Sequence, residues 1–599
     1  MAEAVDDASS EGTWLDEDDD YDSFIPYDGV QMGTSNVANA APECSQTPLA
    51  HSATSQFTRR HLRQMRMSTP TCPLRVIALI DFDAFYAQCE MVRLGLPTDQ
   101  PLAVQQWNAI IALNYPARDY GLKRGIPADE AKLRCPTLHV QHVATWRRGE
   151  PSWAYRADVR QHMSVDKAAL DPYRLESRKA LALVVKALPE LPEPRVEKAS
   201  VDEMFIDLSA HVYGILLERY PVLAVASQGL GGECLPLPTQ CDLDWVTDHV
   251  LGVQTSAVDW DDVALSIGSG IVRVLRQAIL DELHYTTSAG VAHNKMVAKL
   301  AAGHKKPNQQ TVIRHCAVSG FLSPIPYKKI RGLARKLGGQ VQQAFGGDIV
   351  ADLLATSLPD MKLRLGAEQG LWVHNVLRGI DESEVVSRTH IQSMLSQKTF
   401  VPDLRNLEEA STWLRMFAAE LHDRVLELDT PSSRRRPKTL TIYHHPKGRF
   451  GPTYSKQVTI PLTAQFNSEL VYTTALIQLR ELTTAPSLWP CAAIGLRLSN
   501  LVEVEIQSHS IKTFFSSRQQ EAVSLEGLKV PFVVADRLGT EKVNEGLLQA
   551  SSVEPPNSQV LSQSGMYYQC PHCSAEVRQS QVLEHLDWHV AMELQDSVS

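Results

Sequence analysis

Ile80-Asp81-Phe82-Asp83-Ala84-Phe85-Tyr86-Ala87 puts acids where an apolar strand gives way to a turn. Ala199-Ser200-Val201-Asp202-Glu203-Met204-Phe205 does the same about 120 residues later. Carboxylates are costly to bury unless they are paired or bind a metal. Each stretch reads as a buried strand with its turn, and either one alone would also read as ordinary turn residues. Brought together, Asp81, Asp202 and Glu203 would hold two divalent cations, with the backbone carbonyl of Phe82 as a further ligand. Two such ions, about 3.5–4 Å apart, clamp the attacking and leaving oxygens of an in-line displacement. Mg²⁺, or Mn²⁺ in its place, suits all-oxygen donors. The pattern predicts phosphoryl transfer.

Working outward, Arg75–Ile80 reads as the first strand, Phe82–Arg93 as the start of a helix, and 203–208 as a strand that pairs with the first. In Asn114-Tyr115-Pro116-Ala117-Arg118, Tyr115 and Arg118 share one face of a helical turn. A phenol and a guanidinium so placed can grip a triphosphate, although a plain helix with a solvated Arg looks the same. Arg124 follows a turn and can reach an incoming base or α-phosphate. In Ser288 to Asn308, Gly290 allows close backbone approach and Lys306 before Pro307 is a triphosphate candidate. Lys295 and Lys299 share a helical face and read equally well as solvated. Residues 210–262 look like an insertion, and a long amphipathic helix is predicted from about Val263 to Leu283.

A chain of 599 residues exceeds one core. No apolar run reads as long enough to span a bilayer, so no membrane role is expected. The formal charge of −11 is concentrated: residues 1–30 hold eleven Asp and Glu and no Lys or Arg. Basic residues cluster at Arg59-Arg60, Arg147-Arg148, Lys305-Lys306, Arg434-Arg435-Arg436 and Lys438. Affinity for DNA follows such local clusters rather than global charge. Among the ten cysteines, Cys570 and Cys573 are spaced as a pair, which points to a reducing compartment.

The Asp-Phe-Asp-Ala-Phe-Tyr-Ala, Tyr-x-Ala-Arg, Ser-Val-Asp-Glu and Ser-Ala-Gly…Asn-Lys…Lys-Pro-Asn blocks, in this order, resemble the Y-family translesion DNA polymerases over about residues 74–515. Within that family the likeness is to the eta type in its filamentous-fungal form, carried by Gln106 in Val104-Gln-Gln-Trp, Arg124, and Asp171-Pro-Tyr-Arg174-x-x-Ser177. The resemblance implies an α/β multidomain right hand with an added little finger. Its expected parts are a palm at 74–86 and 165–313, fingers at 87–164, a thumb at 314–390 and a little finger at 391–517. A disordered acidic tail at 1–70, a linker at 518–565 and a zinc finger at 566–599 complete the chain. By the resemblance, Asp81, Asp202 and Glu203 are the metal ligands and Tyr86 is the steric gate against a 2′-hydroxyl. Tyr115, Arg118 and Lys306 contact the triphosphate, while Gln106 and Arg124 hold the template base and incoming nucleotide. The implied activity is DNA-directed DNA polymerisation (nucleotidyl transfer) past UV photoproducts, on primer-template DNA with dNTPs, in the nucleus.

Ile325 to Gly338 looks like a helix-hairpin-helix whose turn offers N–H groups to phosphate. The run Arg434–Lys438, ahead of a strand at Thr439–Tyr443, would track the DNA backbone or serve nuclear import. Cys570-x2-Cys573-x11-His585-x3-His589 has the spacing of one tetrahedral structural Zn²⁺. Its helix is acidic, which argues against phosphate, and it resembles a ubiquitin-binding zinc finger in which Asp587 and Ala591 face ubiquitin. Ser508-His-Ser-Ile511-Lys-Thr-Phe514-Phe515 resembles a sliding-clamp-binding peptide through Ile511, Phe514 and Phe515, with Ser508 where Gln usually leads. The last turn of the little finger would read alike.

Overall fold

The computed structural model describes residues 54–504, except 151, 191, 225–231, 240–242, 246, 253–257, 388–390, 431–432, 447–452, 463–464 and 485–487, and in addition 567–569 and 576–578. The acidic tail up to residue 53, Ile511, Phe514, Phe515, the 518–565 linker, Cys570, Cys573, His585, Asp587, His589 and Ala591 lie outside the described residues.

A six-stranded mixed sheet carries the acidic stretches. Its order is His249–Leu251, Gln310–Ile313, Thr287–Ala292, Ile77–Phe82, Glu203–Asp207, Arg195–Lys198. Ile77–Phe82 is central and antiparallel to both neighbours. Successive side chains of a strand face opposite sides, and this strand is apolar on both. Ala78, Ile80 and Phe82 join one core with the helix Trp260–Leu283; Ile77 and Leu79 join another with the helix Lys295–Ala302. Gly290 permits the second contact, since a Cβ there would sit 2.0 Å from the Ala298 carbonyl oxygen.

The second core runs on into the short helices of 318–376 through Tyr327, Leu333, Val350 and Val373. Residues 102–142 form a three-stranded sheet with its own small core around Ala103, Ile110 and Leu138. A four-stranded antiparallel sheet follows, ordered Ser393–Leu404, Cys491–Val504, Arg434–Pro446, Tyr454–Thr459. Its helices Leu407–Leu426 and Ser468–Leu482 share a core with Ala144, Trp146 and Ala169 from the hairpin Ala144–Arg147/Asp166–Ala169. In the separate unit from His509 onward, Tyr567–Gln569 pairs antiparallel with Glu576–Arg578.

Several expectations are corrected. The structureless segment does not extend to residue 70. Thr54–Thr58 is a strand and Arg59–Arg66 a helix, and Phe57, Leu62 and Met65 are buried. The strand's partner is Cys234–Pro236, so the order of this segment depends on residues far along the chain. Arg59 is engaged inside the fold, donating to the Leu223 carbonyl oxygen at 3.1 Å and standing 3.7 Å from Glu233. The segment 210–262 is not wholly an insertion: Ser209–Arg219 is a helix that buries His211, Val212 and Leu216, and Trp260 starts the long core helix. That helix is long and apolar enough to cross a bilayer, against the sequence expectation. Here it packs as a core helix, with Val263, Ala264, Val272, Leu275 and Ile279 buried. Arg147 is spent on Asp158 and Asp166 at 2.9 and 2.7 Å. The run Arg434–Lys438 lies within its strand rather than before it, and Arg436 pairs with Asp429 at 2.7 Å.

Candidate active site

Strand alternation decides where the acids point. Asp81 follows Leu79 by two residues and Glu203 precedes Phe205 by two, so both leave the sheet on the face covered by the helix Lys295–Ala302. They are direct cross-strand partners. Asp202 is held in the preceding turn: its carbonyl oxygen accepts from Phe82 N–H at 2.9 Å, and its carboxylate accepts from Ser200 Oγ. Ser200 Oγ also accepts from the N–H groups of Asp202 and Glu203, each at 3.1 Å.

Two lysines from that helix and its outlet answer the acids. Lys299 Nζ lies 2.8 and 3.0 Å from the two carboxylate oxygens of Glu203. Lys306 Nζ bonds Asp81 Oδ1. Lys299 is thus a site residue rather than the solvated surface lysine its spacing allowed. Its neighbour Lys295 pairs with Glu197 at 2.7 Å. Loss of hydration pushes the Asp81 carboxyl up to about 8, with Lys306 opposing and Asp202 and Glu203 adding to the rise. Asp83, quoted in the first motif without a role, is buried and holds the loop bearing Lys306. It accepts from Ser288 Oγ at 2.6 Å and from Asn308 N–H at 2.8 Å.

Among the described residues no three acidic, His or Cys side chains converge on one point. Lys299 pairs with Glu203 and Lys306 with Asp81, so two of the three acids are answered by ammonium groups. The donor set of three carboxylates and one carbonyl is all oxygen, which fits hard divalent cations.

Tyr86 follows the acids on the helix Phe85–Leu94. Its ring stacks on Tyr173, with centroids 4.3 Å apart and planes 16° from parallel. Tyr173 donates its hydroxyl to the buried carboxylate of Glu90 at 2.7 Å, and Tyr155 donates to the same oxygen at 2.8 Å. Tyr86 is therefore braced from behind by a network that its sequence neighbourhood does not reveal.

The helix Tyr115–Arg118 is capped by Asn114, which accepts from Ala117 N–H at 3.1 Å. Arg118 lays its guanidinium over the Tyr115 ring at 4.6 Å, as the three-residue spacing predicts. Arg124 is exposed in a turn closed by Gly125 N–H to the Ile110 carbonyl. A cleft of about 1800 Å³ is lined by Tyr86, Gln106, Lys198, Lys398, Arg497 and Val201, the residue before Asp202. Asp81, Asp202, Glu203, Tyr115, Arg118, Arg124 and Lys306 are not among its lining residues. Burial, then Arg178 and Arg174, push the Lys198 ammonium down to about 8. Arg174 and Arg178 are themselves paired with Asp171 at 3.1 Å and Glu427 at 2.6 Å, and nothing in the spacing of Lys198 signals this basic cluster.

The impB/mucB/samB family model matches residues 80–303, and that family's C-terminal domain matches 391–511. The chain belongs to the Y family of polymerases. Residues 325–380 of this Y-family chain match a DNApol eta/Rev1 HhH motif, and 567–597 match a Ubiquitin-Binding Zinc Finger. Similar proteins include N-acetyltransferase eso1 of Schizosaccharomyces pombe, 32% identical over 568 residues, which are 88% of this chain and 63% of that protein. DNA polymerase eta of Arabidopsis thaliana is 34% identical over 393 residues, 62% of this chain and 52% of that protein. DNA polymerase eta of Saccharomyces cerevisiae is 29% identical over 435 residues, 63% of this chain and 68% of that protein. The chain thus spans between about half and two thirds of the length of these relatives.

Proposed function

We propose that this chain is a DNA-directed DNA polymerase of the eta type, copying templates past UV photoproducts such as cis-syn thymine dimers. One observation carries the reading: Asp81 and Glu203 are cross-strand partners with Asp202 in the turn directly before, and Val201, next to Asp202, lines a cleft together with Tyr86 and Gln106. The similarity to proteins named DNA polymerase eta supports it.

In this reading Asp81, Asp202, Glu203 and the Phe82 carbonyl hold two Mg²⁺, or Mn²⁺. Ions held there would supply positive charge for attack of the primer 3′-hydroxyl on the α-phosphate with loss of pyrophosphate. The chain's own groups do the positioning. Lys306 exchanges Asp81 for the triphosphate. Arg118, steadied on the Tyr115 ring, offers a bidentate fork to phosphate oxygens. Gln106 holds the template base and Arg124 the incoming nucleotide. The basic hairpin around Lys328, Lys329 and Arg331 tracks the DNA backbone. The zinc finger, with Zn²⁺ on Cys570, Cys573, His585 and His589, binds ubiquitin through Asp587 and Ala591. Ile511, Phe514 and Phe515 engage the sliding clamp. Two weak tethers acting together raise the effective concentration at a ubiquitinated clamp in the nucleus.

Tyr86 closes the sugar pocket against a 2′-hydroxyl. Tyr86→Ala is expected to narrow the dNTP-over-rNTP ratio of kcat/KM by about two orders of magnitude, measured by single-nucleotide insertion. An unchanged ratio would remove Tyr86 from the gate.

Primer extension across a template cis-syn thymine dimer, beside an undamaged template, tests the reading. Two adenines inserted opposite the dimer are expected. Synthesis that stalls at the dimer would leave a Y-family polymerase of another type, iota- or kappa-like. No synthesis on either template from folded protein would favour a non-catalytic scaffold for ubiquitin and clamp.

A further inference from the structure

Lys398 crosses from one lobe to another. It lies on the strand Ser393–Leu404 of the four-stranded sheet, opposite Ile494. Its ammonium sits 4.8 Å from the ring centroid of Trp107 and 5.1 Å from that of Trp413. It also donates to the carbonyl oxygens of Asp166 at 2.8 Å and Met163 at 3.3 Å. A cation between two aromatic faces, with its N–H groups satisfied by carbonyls, is a directional contact rather than loose packing.

The two rings belong to different bodies. Trp413 is buried in the core of the four-stranded sheet and its helices. Trp107 is the turn residue of the hairpin joining Leu102–Gln106 to Ala109–Leu113. It takes a left-handed backbone, φ 55°, which a bulky residue adopts only when its surroundings hold it there. Trp107 N–H donates to His142 Nε2 at 2.8 Å, and its ring lies 5.5 Å from the His142 ring. Gln106 precedes it directly, and Gln106, Trp107, Lys398 and Trp413 all line the cleft.

We propose that Lys398 is a positioning residue: gripped between Trp107 and Trp413, it ties the little-finger strand to the hairpin that carries Gln106, and so sets where Gln106 meets the templating base. The inference rests on the polymerase reading for its consequence, though not for its geometry. Catalytic carboxylates and triphosphate contacts lie on other elements, so loss of the tie falls on nucleotide alignment before it falls on chemistry.

Lys398→Met and Lys398→Arg decide it, with two readouts. In DNA-free protein, hydrogen exchange of the amides from Gln106 to Ile110 is expected to speed up about tenfold in Lys398→Met, as a local contact is lost, and to stay near wild type in Lys398→Arg. In single-nucleotide insertion, KM for the correct dNTP should rise roughly ten- to hundredfold in Lys398→Met with little change in kcat, and Lys398→Arg should restore it. Unchanged exchange and KM in Lys398→Met would overturn the proposal. So would an Arg variant as impaired as the Met variant, because a cation would then not be what the rings grip. Should Lys398→Met not fold, Trp107→Leu approaches the same contact without touching the little-finger core, and a wild-type KM there overturns it equally. A wild-type protein that extends no primer would fail the polymerase reading alone, while hairpin exchange still decides the tie.

Discussion

Asp202→Asn and Glu203→Gln each lower the kcat of primer extension by about three orders of magnitude, while the thermal midpoint stays level or rises. The two halves of this expectation share one cause. Asp81, Asp202 and Glu203 bring like charges together at the end of one sheet, and Asp202 and Glu203 add to the upward push on Asp81 that loss of hydration begins. Removing one charge relieves the folded protein. It also strips a ligand from the only acidic set that the proposed mechanism employs. Lys299 loses its partner in Glu203→Gln, but the amide still accepts a hydrogen bond from it. Single-turnover extension and thermal unfolding of the same preparations check both halves. Retention of activity within tenfold would remove these acids from the chemistry. A collapse of stability would mean that their role is structural.

Glu420→Ala destabilises the fold by about 3–5 kcal/mol, the usual cost of stripping one partner from a buried charge cluster. Glu420 is fully buried and joins three groups. Lys167 stands at 2.9 Å, Arg424 at 2.7 Å, and Ser396 donates its hydroxyl at 2.5 Å. Arg424 continues to Asp171 at 2.5 Å and to the Leu395 carbonyl oxygen at 2.9 Å. Burial pushes the Asp171 carboxyl up, yet Arg424 and Arg174 prevail and hold it well below the usual carboxylate range. Truncating Glu420 leaves Lys167, Arg424 and Arg174 with Asp171 as their remaining carboxylate, with Lys167 and Arg424 buried. Lys167 and Asp171 come from the segment that precedes the six-stranded sheet's second half, whereas Glu420 and Arg424 come from the helix Leu407–Leu426. The cluster therefore fastens the little finger to the rest of the chain. Denaturant unfolding gives the loss, and limited proteolysis should release a fragment near residue 391 before the remainder is cut. A stability within 1 kcal/mol of wild type, the range of an exposed ion pair, would count against the cluster as a fastener.

Much of the site was legible in the chain. An acid within an apolar run must be paired, ligated or at the end of its strand, so Asp81 and Glu203 announce the ends of their strands. Period-two alternation then assigns their face. Tyr115 and Arg118 follow from helical spacing in the same way. Lys299 and Lys198 were not legible, because a lysine on a helix or strand face has the same spacing whether it meets water, a carboxylate or a phosphate. Arg147, a DNA candidate by its basic neighbour, is turned inward by Asp158 and Asp166, eleven and nineteen residues on. The fold of Thr54–Arg66 was missed because a five-residue strand has little propensity of its own, and its partner lies about 180 residues later.

The sequence by itself determined which side chains can carry charge transfer to phosphate and in what order they occur, since residue type and local period follow from covalent order alone. The tertiary structure decided which cation answers which acid: Lys299 to Glu203, Lys306 to Asp81, Lys167 to Glu420 and Arg424 to Asp171, with Lys398 set against two indoles. Those choices depend on distances in space between separate elements, and Coulomb and cation–π energies are functions of that distance, not of position along the chain.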